Sequence, residues 1–294
     1  MPPARPPAAA PAPAAGVRRP ARARLEDARA EDAQGVRPGQ APPWALFFLE
    51  GPRAVQEATA TLAAAPLLAG LPRASADPVL VLPGLMTGDA QTSTLRWWLS
   101  RAGNDAHTWD LGLNIGPVSR VAEGLDRRLL ALADSTGRPV SLVGWSLGGL
   151  YARALARRYP GVVRQVVTLG TPFRQSDDRQ TRATRLYRAL GRWHVAESDL
   201  VVFEDSDEPV PVPATAVYSR TDGIARWHTC LDVVSPTAEN VRVRASHFGL
   251  PVNASVVYAV ADRLAQPEGT WAPFVPPAWL RPLYPSPVSW RPRS

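Results

Sequence analysis

Val140-Ser141-Leu142-Val143-Gly144-Trp145-Ser146-Leu147-Gly148-Gly149 is the stretch whose reading decides the fold of this chain. The residues 140–143 (VSLV) read as a short buried strand, the second after the continuous apolar run PVLVL at 78–82. Residues 147–158 carry a helical pattern that Pro160 stops. Between the two, strand must become helix within a few residues. A side chain at 144 or 148 would collide with neighbouring backbone in so tight a turn, and both positions are glycine. The turn leaves Ser146 at its tip in a strained conformation, with a helix N-terminus behind it that favours developing negative charge. Strand, G-x-S-x-G and helix in this order are the context of a nucleophile elbow, and Ser146 is the candidate nucleophile.

The same rhythm extends outward. Strands are predicted at 78–82, 106–111, 140–143, 162–169, 214–218 and 241–243, with helices at 92–102, 118–133, 147–158 and 251–264. Repeated strand–helix units imply an α/β fold: a doubly wound, mostly parallel sheet of about six strands with helices on both faces. Residues 44–70 read as helix, with Leu46, Leu49, Val55, Leu62 and Leu67 spaced roughly as one face. That face is expected to cover the sheet edge; the other reading is a surface helix that touches lipid. Residues 174–212 exceed a normal connection and hold a basic helix at 178–192, then an acidic stretch; a lid insertion is expected there. The Pro/Ala/Arg-rich segment 1–43, with ten prolines, buries too little apolar surface to order itself and reads as a disordered arm. The tail 269–294 is rich in proline and is expected to dock through Trp271, Trp279 and Trp290.

Bulk properties narrow the function classes. With 294 residues and 45% apolar content, one full-sized core is expected, spanning 44–268. All 33 basic residues are arginine and the net charge is +7, but the arginines are spread along the chain. Only 5–24 and 178–192 are locally basic, and no nucleic-acid motif appears, so no nucleic-acid partner is expected. The single cysteine, Cys230, excludes an internal disulfide and suits a reducing compartment. No apolar run approaches the ~18–20 residues that span a bilayer. Arg18-Arg19 lacks the apolar segment a twin-arginine signal needs. A cytoplasmic location is expected, with peripheral membrane contact through 44–70 or the tail as the open alternative.

A serine nucleophile needs a base, and the chain has four histidines: His107, His194, His228 and His247. His247 follows the last predicted strand; His228, in the loop after 214–218, is its rival. The base in turn needs an acid near a strand end. Asp222, beside Gly223, fits; Asp232 and Glu239 are alternatives. An oxyanion requires two donors. One is the N–H of Leu147; the other belongs to the loop Leu82-Pro83-Gly84-Leu85-Met86, with Leu85 first and Met86 second. Met86, Trp145, Phe173 and Phe248 are the candidate substrate-binding residues, with Leu85 and Leu250 also near the mouth by sequence position. No zinc-ligand spacing and no phosphate loop appear, and neither metal nor organic cofactor is expected.

Taken in order, VLVLPGL at 79–85, GWSLGG at 144–149, LGTPF at 169–173, SRTDG at 219–223 and SHFGL at 246–250 resemble the α/β-hydrolase superfamily, in its bacterial esterase and lipase branch. The resemblance covers about 44–268. It implies the order serine, acid, histidine, hence Ser146, Asp222 and His247, and ester hydrolysis as the activity. Acyl transfer with the same residues, or a non-catalytic protein that kept the fold, are the alternatives. Two residues depart from the pattern: Pro83 stands where many lipases have His, and Trp145 where His is common before the nucleophile. The two antiparallel strands that usually open the fold are not visible before 78.

Overall fold

Every residue of Pro78–Leu82, strand β1, is buried, as its unbroken apolar run requires. It pairs with β2 (Asp105–His107) and β3 (Val140–Trp145), and β4 (Val163–Leu169), β5 (Ala214–Ser219) and β6 (Ala238–Val243) follow. The sheet order is β2-β1-β3-β4-β5-β6, and every pairing is parallel. The computed structural model describes residues 41–174, 181–195 and 209–288. The expected arm lies outside these residues up to position 40. Much of the segment expected as a lid (175–180, 196–208) and Trp290 of the tail lie outside them too.

Side chains alternate between two apolar layers, as the period of a strand demands. Val79, Val81, Val143, Val167 and Val217 face α4 (Ser93–Arg101) and α8 (Ala254–Ala265). Leu80, Leu82, Leu142, Val166 and Ala216 face α5 (Ser119–Thr136) and α6 (Leu147–Arg158). The stripe Val121, Leu125, Leu129 and Leu132 seats α5 on the sheet; burying each such side chain stabilises by about 1.5–3 kcal/mol. Gly137, at φ 64°, ends that helix in the left-handed conformation. Asn253 caps α8 by accepting hydrogen bonds from the Ser255 and Val256 amides.

The topology positions the site. From β1 the chain moves one way to β2, then crosses back past β1 to β3. The strand order thus reverses between β1 and β3, and the loops leaving their C-terminal ends part around a crevice. Those loops carry Gly84 and Ser146.

Three expected elements differ. Residues 44–70 are helical, as α1 (Trp44–Phe48), α2 (Glu50–Ala63) and α3 (Ala65–Leu68), but the apolar face does not pack inward. Leu49, Val55, Leu62 and Leu67 are exposed, whereas Glu50 and Thr61 are buried. Carboxylates and a guanidinium on the inner face meet unsatisfied backbone groups of two loops, and that match wins over the apolar stripe. The strand expected at 106–111 ends at His107, because the Trp109 and Asp110 amides donate to the Asp89 carboxylate, at 3.0 and 3.3 Å, instead of extending the ladder. The helix expected at 178–192 spans Thr184–Leu190, now α7, followed by a 3-10 turn at Gly191–Trp193. It starts late because Thr181 bridges Ala225 and the Arg182 amide donates to the Ile224 carbonyl.

The tail docks on the sheet edge and α8. The Phe274 amide donates to Glu239 Oε2 (2.7 Å), Tyr284 Oη donates to the Ser255 carbonyl (2.8 Å), and Leu280 is buried. No helix among the described residues is long and apolar enough to cross a membrane.

Candidate active site

Ser146 sits at φ 52°, ψ −118°, a conformation that a residue with a side chain adopts only when its surroundings enforce it. The enforcement is visible on both flanks. A Cβ at Gly144 would lie 2.4 Å from the Gly149 Cα, and one at Gly148 would lie 2.3 Å from the Leu82 carbonyl oxygen. Strand β3 delivers the serine and α6 starts at the next residue. The Ser146 amide donates to the Leu169 carbonyl at 2.9 Å, which fixes the turn to β4.

The structure brings Asp222 and His247 together. His247 Nδ1 and Asp222 Oδ2 are 2.6 Å apart, with the residues 2% and 3% exposed. The other carboxylate oxygen, Oδ1, accepts from the Ile224 and Ala225 amides, both at 2.8 Å, so the aspartate is oriented from two sides. Burial by itself would lower the His247 pKa. The charge and hydrogen bond of Asp222, with a further contribution from the Glu50 charge, outweigh burial, and the pKa lies above its ordinary value.

Trp145 joins this pair to the elbow. Its ring is buried, and Nε1 donates to the His247 carbonyl at 3.1 Å. No hydrogen bond connects Ser146 Oγ to His247 Nε2 among the described residues; such bonds are often long before substrate binds. Opposite the elbow, a Cβ on Gly84 would stand 3.3 Å from the Ser146 Cβ, so the 83–87 loop lies directly against the serine. The Leu147 amide opens α6 and has no acceptor within its own helix. The Leu85 amide has no acceptor among the described residues, whereas the Met86 amide donates to the Asn114 carbonyl at 2.7 Å. Of the two, only the Leu85 N–H is left without a partner among the described residues.

The rival residues are occupied elsewhere. His228 stacks on Trp227 with ring centroids 3.4 Å apart; burial and then Arg226 and Arg220 push its pKa down to about 3. His194 Nε2 bonds the Ile115 carbonyl at 2.8 Å, and His107 pairs with Asp105. Asp232 forms a buried ion pair with Arg153 at 2.6 Å, and Glu239 pairs with Arg263 at 2.8 Å.

Of the expected substrate-binding residues, Met86 and Phe248 are exposed beside the site. Trp145 acts as a strut, not an open wall. Phe173 is fully buried with the Arg153 guanidinium 3.9 Å from its ring centre, so it belongs to the core and not to the mouth. Leu250 is fully buried as well.

Several supporting residues escaped sequence reasoning. Asn114 braces the 83–87 loop: its Nδ2 donates to the Pro83 carbonyl and its Oδ1 accepts from Tyr151 Oη. Ser219 Oγ donates to the Ala245 carbonyl at 2.6 Å and ties the ends of β5 and β6. Glu50, Arg53 and Glu57 meet the loops around Asp222 and His247. Only the polar spacing i, i+3, i+7 along α2 could have signalled them, and the apolar residues between drew attention to the other face.

No protein-family model matches the chain. Among solved structures it is similar to lipase B of Aspergillus fumigatus, at 17% identity and a TM-score of 0.51, over 65% of this chain and 52% of that one. The chain thus matches about half the length of that lipase. Further similar structures are a Bacillus licheniformis lipase in its propeptide form (17% identity, TM-score 0.47, 70% and 54% covered) and the Paleococcus ferrophilus monoacylglycerol lipase (15%, 0.45, 66% and 96%). With its all-parallel six-stranded sheet, reversal of strand order between β1 and β3 and strained serine at the end of β3, the chain has the α/β-hydrolase fold.

Proposed function

We propose that the chain is a carboxylic ester hydrolase of the esterase and lipase kind, working through Ser146, His247 and Asp222. The observation that carries this reading is the buried 2.6 Å pair of Asp222 and His247, tied through Trp145 to a strained serine at a helix N-terminus. In this mechanism Ser146 Oγ adds to the ester carbonyl as its proton passes to His247 Nε2. The Leu147 and Leu85 amides hold the oxyanion. The imidazolium returns the proton to the leaving alkoxide, which departs and leaves an acyl-enzyme. Water then gives a proton to His247 as its oxygen adds to the acyl carbon; the imidazolium passes that proton to Ser146 Oγ as the acyl–Oγ bond breaks, releasing the acid and restoring the serine. Asp222 holds Nδ1–H toward itself throughout, which leaves Nε2 free to accept.

Met86, in the 83–87 loop, and Phe248, next to His247, are apolar and exposed, which favours an acyl chain of moderate or greater length. The assay is hydrolysis of p-nitrophenyl esters of graded chain length by wild type and Ser146→Ala. Activity lost with the serine supports the reading; activity that survives Ser146→Ala rejects it. Added alcohols tell hydrolysis from acyl transfer, because a transferase yields the new ester in preference to the acid. The outward apolar face at Trp44, Phe48, Val55 and Leu62 favours an ester held at a lipid surface. Flotation with liposomes tests it, and binding undiminished in a Trp44→Ser/Phe48→Ser variant would exclude that face.

A further inference from the structure

Helix α2 reads wrongly for a packing element. It turns leucine and valine to solvent and charged side chains to the protein. What the charged face meets is specific. Glu50 is 1% exposed; its Oε1 accepts from the Gly223 amide at 2.6 Å and its Oε2 from the Phe248 amide at 2.9 Å. One turn on, Arg53 donates to the Thr221 carbonyl (2.6 Å) and to Thr221 Oγ1 (2.9 Å). One more turn on, Glu57 accepts from the Ser246 amide (2.7 Å) and from Asn253 Nδ2 (3.0 Å). Thr221 and Gly223 flank Asp222, and Ser246 and Phe248 flank His247. One helix face therefore holds a backbone group on either side of both residues, at the i, i+3, i+7 spacing of a single stripe. The loop is also closely approached from α1: a Cβ on Gly223 would lie 2.6 Å from the Leu46 carbonyl oxygen.

We infer that Glu50 is a positioning residue, bridging the Asp222 and His247 loops through their backbone amides and thereby setting the geometry of the acid–base pair. The inference rests on the ester-hydrolase reading for its consequence, and on the hydrogen bonds alone for its geometry. A carboxylate so fully removed from water is costly unless it is matched by donors, and the two amides it meets lie on different loops. Remove it, and each loop keeps its own strand but loses the shared anchor. The residue also adds negative charge near the imidazole. Asp222 and Glu50 are the charges that raise the His247 pKa, while Glu57 and Arg53 lie on the same face further along the helix.

The test uses the full chain with Glu50→Gln and Glu50→Asp, assayed for kcat, KM and the pH profile of kcat/KM. Gln keeps the length but loses the charge, and its amide group opposes one of the two N–H donors. Asp keeps the charge but falls short of bridging both loops. We expect Glu50→Gln to lower kcat by ~10- to 100-fold, as a small misplacement of a catalytic group does, and to move the acidic limb to lower pH. Glu50→Asp should lose rate while its limb stays near that of wild type. KM should change little in both, because Glu50 contacts no substrate. A folded Glu50→Gln with wild-type kcat and an unmoved limb overturns the inference. Amide exchange in the wild type supplies a readout that needs neither variant folding nor activity: the Gly223 and Phe248 amides should be protected together, and exchange at open-loop rates overturns the bridge. Wild type that is inactive with both amides protected rejects the ester-hydrolase reading and leaves the bridge standing.

Discussion

Replacing Asp222 by asparagine tests how the acid orients the base. The carboxylate is held in a fixed rotation: Oδ1 accepts from the Ile224 and Ala225 amides at 2.8 Å each, and Oδ2 faces His247 Nδ1 at 2.6 Å. An asparagine there has two settings. If its NH2 took the Oδ1 position it would press a donor against two N–H groups and leave both unsatisfied, at about 1–3 kcal/mol each. Its oxygen therefore takes that position, and the NH2 faces Nδ1. The imidazole must then accept at Nδ1 and carry its proton on Nε2, the nitrogen that has to receive the serine proton. In serine triads this change of tautomer lowers kcat by about 10⁴, or about 5.4 kcal/mol of barrier. Stability should fall far less, because the volume and two of the three hydrogen bonds persist. The assay is kcat/KM on a p-nitrophenyl ester beside thermal unfolding of both proteins. A folded Asp222→Asn that keeps more than about a tenth of wild-type kcat would refute the reasoning, since it could not have lost its base.

Other consequences are measurable. Gly148→Ala places a methyl 2.3 Å from the Leu82 carbonyl oxygen with backbone on each side, so the urea midpoint should drop by the equivalent of about 3 kcal/mol or more; an unchanged midpoint contradicts the packing. Arg153→Ala strands the buried Asp232 carboxylate and should cost about 3–5 kcal/mol in denaturant titration, whereas Arg153→Ala/Asp232→Ala should recover part of it. The acidic limb of kcat/KM should lie above the ordinary histidine value of 6.5, because His247 must be neutral to act and its pKa is raised; a limb below 6.5 contradicts the cited charges. That raised pKa stabilises the fold below 6.5, and the contribution is lost as pH rises through the folded value. His228 works the opposite way. The folded state resists its protonation, so stability falls as pH drops from 6.5 toward about 3, and His228→Gln should flatten that part of the pH–stability curve.

The order of strands and helices was legible because β1 is a continuous apolar run, β3 and β4 are short β-branched segments bounded by turn or helix signals, and α5 is a clean stripe. No other local pattern accounts for them. Ser146 was legible for a similar reason: the glycines at 144 and 148 answer to a steric demand that acts within a few residues. Asp222 and His247 needed order along the chain as well as pattern, and the structure adds the 2.6 Å contact between them. What the sequence hid was long-range. Glu50 lies 173 residues from Gly223 and 198 from Phe248, and nothing in a helical repeat says which face will meet a loop so distant. Phe173 misled because a position just past the C-terminal end of β4 does not tell whether a ring points to the mouth or under Arg153. The strand expected through Leu111 failed on one side chain, Asp89, which captures two amides from across the loop.

The most direct test is covalent labelling by a fluorophosphonate probe, with the modified peptide identified by mass spectrometry in wild type, Ser146→Ala and His247→Ala. A single adduct is expected on Ser146, absent from Ser146→Ala and strongly slowed in His247→Ala. An adduct on another residue, or labelling that persists in Ser146→Ala, would contradict it.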